Sequence, residues 1–192
     1  MKLILLYCFC LISSAALSQA SNAIAYSDNH VFNWNMFKGK VNTAHLDQFG
    51  NHVAAVTSSI ISYSSELRNY QVKINITALF NPEKSWTLYP NIEPPDHALN
   101  HEKRHFQICE IYARKFRQEV SKTQFSQKNF HSEIESIFKK ITGEYRDEQS
   151  LYDKETIHSL DRKQQEAWNS KIDKELKALA GYAGSSLTIT LN

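Results

Sequence analysis

The pentapeptide His101-Glu102-Lys103-Arg104-His105 constrains this chain more than any other stretch, because it sits inside a run, Asp96 to about Val120, whose apolar residues recur at helical spacing. Residues four apart on an α-helix project from one face a turn apart, so His101 and His105 can turn ring nitrogens toward a single zinc ion. Glu102 stands roughly 100° round the helix from His101, placed to reach a water beside the metal rather than the metal itself. Pro94-Pro95-Asp96 supplies a helix start with Asp96 as candidate N-cap, and Ile108, Cys109, Tyr112 and Phe116 carry the same face onward. The histidines are therefore expected to point into the molecule, His101 and His105 as ligands and Glu102 as a base.

Three other residues of this helix compete for a place. His97 shares the face of His101, but His97 and His105 are separated by about 12 Å along the axis, too far for one zinc with bonds of about 2.0–2.1 Å. The enclosed carboxylate favours the pair 101/105, leaving His97 as a polar residue near the helix start. Cys109 reads as a buried thiol, since free cysteine is among the most buried residue types. Glu110 lies roughly 180° from His101 and 140° from His105, where pairing with Arg114 at i+4 is the simpler role. A catalytic zinc takes three protein ligands and one water, so the third ligand must come from elsewhere. The polar segment Tyr152 to His158 offers Asp153, Glu155 and His158.

Residues 1–20 read as a signal peptide rather than as part of the fold. Lys2 precedes an apolar run from Leu3 to Ile12, and Ser18-Gln19-Ala20 offers small residues for cleavage after Ala20. The run is shorter than the ~20 residues a membrane span needs, and no later segment comes closer, so the expectation is an exported protein, periplasmic or extracellular, with no membrane span. Residues 21–192 are one domain's worth of chain, with Cys109 its single cysteine and no internal disulfide. Losing residues 1–20 removes one lysine and no acid, which takes the formal charge from +2 to +1. Nothing in that balance points to a nucleic-acid or membrane-surface partner.

The remainder predicts an α+β domain. Val31 to Lys38 alternates like a short strand running into a turn at Gly39, its aromatics expected in the core, and Val53 to Tyr63 reads as a second strand. Gln71 to Phe80 alternates most clearly, with Val72, Ile74, Ile76, Ala78 and Phe80 on one face, and the adjacent runs favour an antiparallel meander. Phe130 to Ile141 fits a helix with Ser126 as cap and Gly143 just past its end; Glu144 to Leu160 is too polar to assign. Asp161 to Leu179 is a third helix, and Ser186 to Leu191 alternates as a strand expected to rejoin the sheet. Asn75-Ile76-Thr77 matches a glycosylation sequon, though in mid-strand.

Several stretches together resemble a bacterial family of predicted secreted zinc-dependent proteases. They are Phe32 to Gly39, Ala54 to Ser59, Ser85-Trp86, His101 to Phe106 with Glu110 to Arg114, and Tyr152-Asp153 with Thr156, His158 and Gln165. The resemblance covers most of residues 21–192 in the family's order. It implies a zincin-like domain, a small twisted, largely antiparallel sheet packed on the HExxH helix with two further helices, and a single zinc. It further implies His101 and His105 as ligands, Glu102 as base and His158 as third ligand. Two departures are visible, Lys103-Arg104 where Gln-Gly is usual and Ser159 where Gly commonly follows the histidine; the first would set two long cations beside the cleft. The expected activity is hydrolysis of a peptide or protein substrate, with Glu102 taking the proton of the attacking water and Tyr152 as a candidate oxyanion donor. The alternative is an exported zinc-binding or partner-docking domain without turnover.

Overall fold

The computed structural model describes residues 22–41, 53–88 and 96–192, an α+β arrangement of three long helices and two antiparallel sheets. The signal-peptide reading of residues 1–20 and the prolines at 94 and 95 lie outside the described residues. The helices are α1 (Asp96–Lys122), α2 (Phe130–Thr156) and α3 (Arg162–Ala178). The main sheet is built on the hairpin β3 (Ser59–Arg68) and β4 (Gln71–Phe80), paired along their whole length. Its two-residue turn, Asn69-Tyr70, has φ of 48° and 64°, the positive values that a tight hairpin turn matched to strand twist requires. The far edge of β4 is shared by β1 (Ile24–Ala25) near Phe80 and by β6 (Ser186–Thr190) near Gln71. A second, two-stranded sheet pairs β2 (Ala55–Val56) with β5 (Trp86–Thr87).

The alternation of β4 explains where the core lies. Val72, Ile74, Ile76, Ala78 and Phe80 are all fully buried, and they join Phe106, Cys109, Ala113, Phe116 and Val120 of α1 in one cluster. That α1 set recurs at three- and four-residue steps, one stripe of a helix laid against the sheet. The opposite side of α1 meets α2 and α3, so the motif helix is enclosed from two sides. Asp96 is the first helical residue rather than the cap before it.

Three expectations need correction. Val31 to Lys38 is not a strand: Trp34–Met36 forms a 3-10 turn, because the Asn33 side chain accepts a hydrogen bond from Asn35 N (3.0 Å) and draws the backbone out of an extended path. Its aromatics do enter the core, Phe32 and Phe37 each 5.5 Å from Phe80 between ring centres. The strand expected over Val53 to Tyr63 is divided at Thr57-Ser58, where the chain passes from the small sheet to the large one. Ser58 N there donates to Ser85 Oγ (2.9 Å), and Thr57 Oγ1 donates to the carbonyl of Glu102 (3.2 Å). Finally, α2 does not stop at Gly143. It continues through most of the segment left unassigned, because Tyr145, Gln149, Tyr152 and Thr156 repeat at helical spacing along the face turned to α1. The α3 helix and the β6 strand lie where the periodicity placed them, with Asp161 Oδ1 capping α3 at Gln164 N (3.0 Å).

Gly39 fixes the wall opposite α2. Its N–H donates to Ser85 O (2.8 Å), and a Cβ at Gly39 would lie 2.8 Å from both Glu83 O and Ser85 O, so the close approach requires glycine.

Candidate metal centre

Helix α1 carries His101 and His105 into the seam between itself and the C-terminal half of α2, both buried, with their Nε2 atoms 3.1 Å apart. Each ring is held from behind through Nδ1. His101 Nδ1 meets Gln165 Oε1 at 3.0 Å, and His105 Nδ1 meets Gln149 Oε1. The two amide orientations are fixed by their other ends. Gln149 Nε2 donates to the carbonyl of His105 (2.9 Å), and Gln165 Nε2 donates to Tyr152 Oη (2.7 Å) and Asn169 Oδ1 (3.0 Å). Both amide oxygens must therefore accept, both Nδ1 atoms carry hydrogen, and in the neutral rings both Nε2 atoms present lone pairs.

Those lone pairs face a carboxylate. Asp153 Oδ1 lies 3.1 Å from His101 Nε2, 3.0 Å from His105 Nε2 and 3.3 Å from His158 Nδ1. Such a convergence of electron-pair donors needs a cation or an added proton among them. Ligands of a tetrahedral zinc with bonds of about 2.0–2.1 Å are spaced by roughly 3.3–3.4 Å, close to the distances seen, so these residues fit a zinc ion. The charges of the cluster favour positive charge at this point, which a proton also supplies. Burial works against the charge on His105, but the charge and hydrogen bond of Asp153, with Glu102 nearby, lift the imidazole to about 9. Burial likewise opposes the charge of Asp153, yet His105 and the hydrogen bonds of the three histidines hold its carboxyl far below the usual carboxylate range.

Glu102 lies beside this cluster, 4 % exposed, and its Oε2 is a buried carboxylate oxygen with no hydrogen-bond partner among the described residues. It lines a cleft of about 760 Å³, together with His101, His105, Asp153 and His158. One wall of that cleft is the β2 and β5 region with Lys40, Glu83 and Lys84; the other is α2 with Tyr145, Arg146 and Gln149.

The structure brings together four of the five residues singled out from sequence, His101, Glu102, His105 and His158. Tyr152 is placed differently. It is fully buried beneath the histidines, its ring stacked on His101 at 4.5 Å, and its hydroxyl donates to the carbonyl of His101 (3.3 Å). It does not line the cleft, and burial pushes its hydroxyl well above the ordinary tyrosine range, so the oxyanion-donor role gives way to a positioning one. Glu110 faces away as expected, bound to Arg114 Nε (2.8 Å) and also to Arg117 Nη1 (2.9 Å). Cys109 is fully buried and its thiol is pushed up to about 12 by that burial. His97 is half-buried near the helix start, its pKa lowered by burial and by Arg162 and His101. Lys103 and Arg104 do not flank the cleft. Arg104 turns to Asp173 and Gln107, and Lys103 lines a separate small cavity beside Tyr26 and Asp28.

Gln149 and Thr57 are residues whose part in the site sequence reasoning did not find, and Asp153, offered there with Glu155 and His158 as a third donor, was not singled out. The signal for Asp153 and Gln149 was their four-residue spacing on a helix that the polar composition concealed. His158 follows α2 in a turn where Ile157, His158 and Ser159 all have positive φ, at 49°, 50° and 76°. The value at Ser159 supplies a reason for glycine at that place in the resembling family.

A model of the family described as "Bacterial protein of unknown function (DUF922)" matches residues 93–159. The match runs from just before α1 to the turn that bears His158, and it contains both histidines of the motif, Glu102 and Asp153. No curated protein and no solved structure matches the chain.

Proposed function

We propose that this protein is a zinc-dependent metallopeptidase of zincin-like type, hydrolysing peptide bonds in the cleft above α1. The observation that carries this reading is the unpartnered, buried Glu102 Oε2 beside two histidines whose Nε2 lone pairs converge. Zinc, when bound, supplies a Lewis acid that polarises the scissile carbonyl and makes water acidic near neutral pH. His101 and His105 would hold the ion from α1, and a third donor would come from the end of α2, where Asp153 and His158 stand together. Gln149 and Gln165 keep the two rings turned and their tautomers set. Glu102 accepts the proton of the attacking water and passes it to the departing amine, a contribution of about 10²–10⁴-fold in rate. The backbone of Glu102 is held by Thr57, so the base is positioned by the junction between β2 and β3.

The surroundings agree with a peptide substrate, since the cleft is open, lies between the β2 and β5 region and α2, and is lined by both polar and apolar residues. We propose further that the protein acts outside the cytoplasm after cleavage near Ala20. No helix among the described residues is long and apolar enough to cross a membrane.

One observation favours a second reading. Four protein donors, His101, His105, Asp153 and His158, would fill a tetrahedron, and a closed site of that kind belongs to a zinc-binding module without turnover. A peptide-library digest comparing wild type with Glu102→Gln decides between them. The metallopeptidase reading expects cleavage by wild type and a loss of at least about 10²-fold in the variant, with zinc retained. Zinc-loaded wild type that cleaves nothing would leave the binding module.

A further inference from the structure

We propose that Asp153 is the third metal ligand, and that His158 acts on it from outside, donating its Nδ1 hydrogen to Asp153 Oδ1. This rests on the zinc reading of the site. His101 Nε2, His105 Nε2 and Asp153 Oδ1 form a nearly equilateral triangle with sides of 3.1, 3.0 and 3.1 Å. A triangle of that size is one face of a tetrahedral zinc site, to within a few tenths of an ångström of the roughly 3.3–3.4 Å that the bond lengths imply. His158 Nδ1 stands 3.3 Å from the same carboxylate oxygen, within reach to donate to it, and His101, Asp153 and His158 keep their donor atoms within 4.8 Å of one another, so the division of roles rests on the backbone that carries each residue.

The backbone supports the division of roles. Asp153 projects from the last turns of α2, whose register against α1 is set by Tyr152 and Gln149 on the same face. His158 sits in the left-handed turn beyond the helix end, at φ 50°. Ligands borne on packed helices are held more closely than ligands on turns, whereas an outer hydrogen-bond donor tolerates the looser placement. A carboxylate that binds the ion and accepts from an imidazole is also a common way of orienting a metal ligand. Charge balance favours it as well, because two neutral imidazoles and one carboxylate offset half the charge of a dication. Three protein ligands would leave one coordination position open, as a catalytic site requires, beside a cleft that Glu102 also lines.

Zinc affinity, measured on the purified protein by competition with a chromophoric chelator, separates the two residues. Asp153→Asn should weaken zinc by more than about 100-fold, beyond the 10–100-fold typical of an outer hydrogen-bond partner, whereas His158→Ala should fall within or below that range. The d–d absorption of the Co²⁺-loaded His158→Ala protein should keep the wild-type shape, since its ligand set is unchanged. The opposite ranking, or equal losses with an altered Co²⁺ spectrum in His158→Ala, would overturn the proposal. Should Asp153→Asn fail to fold by far-UV circular dichroism, the Co²⁺ spectrum of His158→Ala decides alone, unchanged in favour and changed against. Wild type that binds no zinc would overturn this proposal together with the metallopeptidase reading; wild type that binds zinc with the ranking reversed overturns this one alone.

Discussion

Glu102 and Glu110 stand two turns apart on α1 and are used in opposite ways. Glu110 is buried against Arg114 and Arg117, a carboxylate whose charge is consumed in holding the helix to its neighbours: Arg114 also donates to Leu176 O (3.0 Å) and Arg117 to Ile76 O (3.0 Å). Among the described residues Glu102 keeps one buried oxygen with no such partner, on a side chain that lines the cleft. Removing the charge of Glu110 leaves two guanidinium groups buried with too little compensation, so Glu110→Gln should cost about 3–5 kcal/mol in urea unfolding while leaving zinc affinity nearly unchanged. A loss of zinc in that variant would place a ligand on the wrong face of α1. The glutamines behind the histidines make a complementary case. Gln149→Ala and Gln165→Ala should each weaken zinc about 10–100-fold by chelator competition, because each releases a ring from its fixed tautomer and orientation. Helical angles were enough to separate Glu102, His101 and His105 from Glu110 in the sequence. They could not choose Asp153 over Glu155 and His158, since nothing in a polar stretch announces which of its donors faces a neighbouring helix.

At the scale of elements, α2 shows where reading by hydrophobic period fails. Its first half has aliphatic inward positions, Ile134 and Ile141 among them, and was legible as a helix. In its second half the inward positions are Tyr145, Gln149, Tyr152, Asp153 and Thr156, polar because the site lies there, so the period vanishes although the helix continues. The cost of Gly143 within the helix, about 1 kcal/mol against alanine, is outweighed by packing on both sides of it. By contrast β4, whose inward face is wholly apolar, was legible residue by residue. The turn after α2 carries its own strain. Ile157 is a β-branched residue at φ 49° and is half exposed, so Ile157→Gly should relieve the left-handed conformation while losing little packing. The expected outcome is a gain of about 1 kcal/mol in thermal or urea unfolding with zinc affinity preserved. A loss of stability would mean that Ile157 contributes contacts worth more than the strain.

Across the whole molecule, α1 is the element through which everything else communicates. Its apolar stripe rests on β4, its Glu110 cluster ties the sheet to α3, and its histidines meet α2 and the start of α3 through Asp153, Gln149 and Gln165. The α+β class, the helix that bears the motif and the strand beneath it were open to reading because they depend on local periodicity. The seam between α1 and α2, which brings distant polar residues to one point, depends on tertiary packing and was not. A metal held in that seam would fasten the two helices and the α3 start together, and zinc binding should therefore stabilise the fold as well as enable the chemistry. The most direct test of the account is to strip the purified protein with a chelator and titrate zinc back while following peptide-bond cleavage in a peptide library by mass spectrometry. Cleavage should be absent without metal, rise in proportion to added zinc and level off at one equivalent per chain, with no rise in Glu102→Gln. Cleavage that persists in the stripped protein, or a wild-type protein that takes up one zinc and cleaves no peptide, would contradict the account.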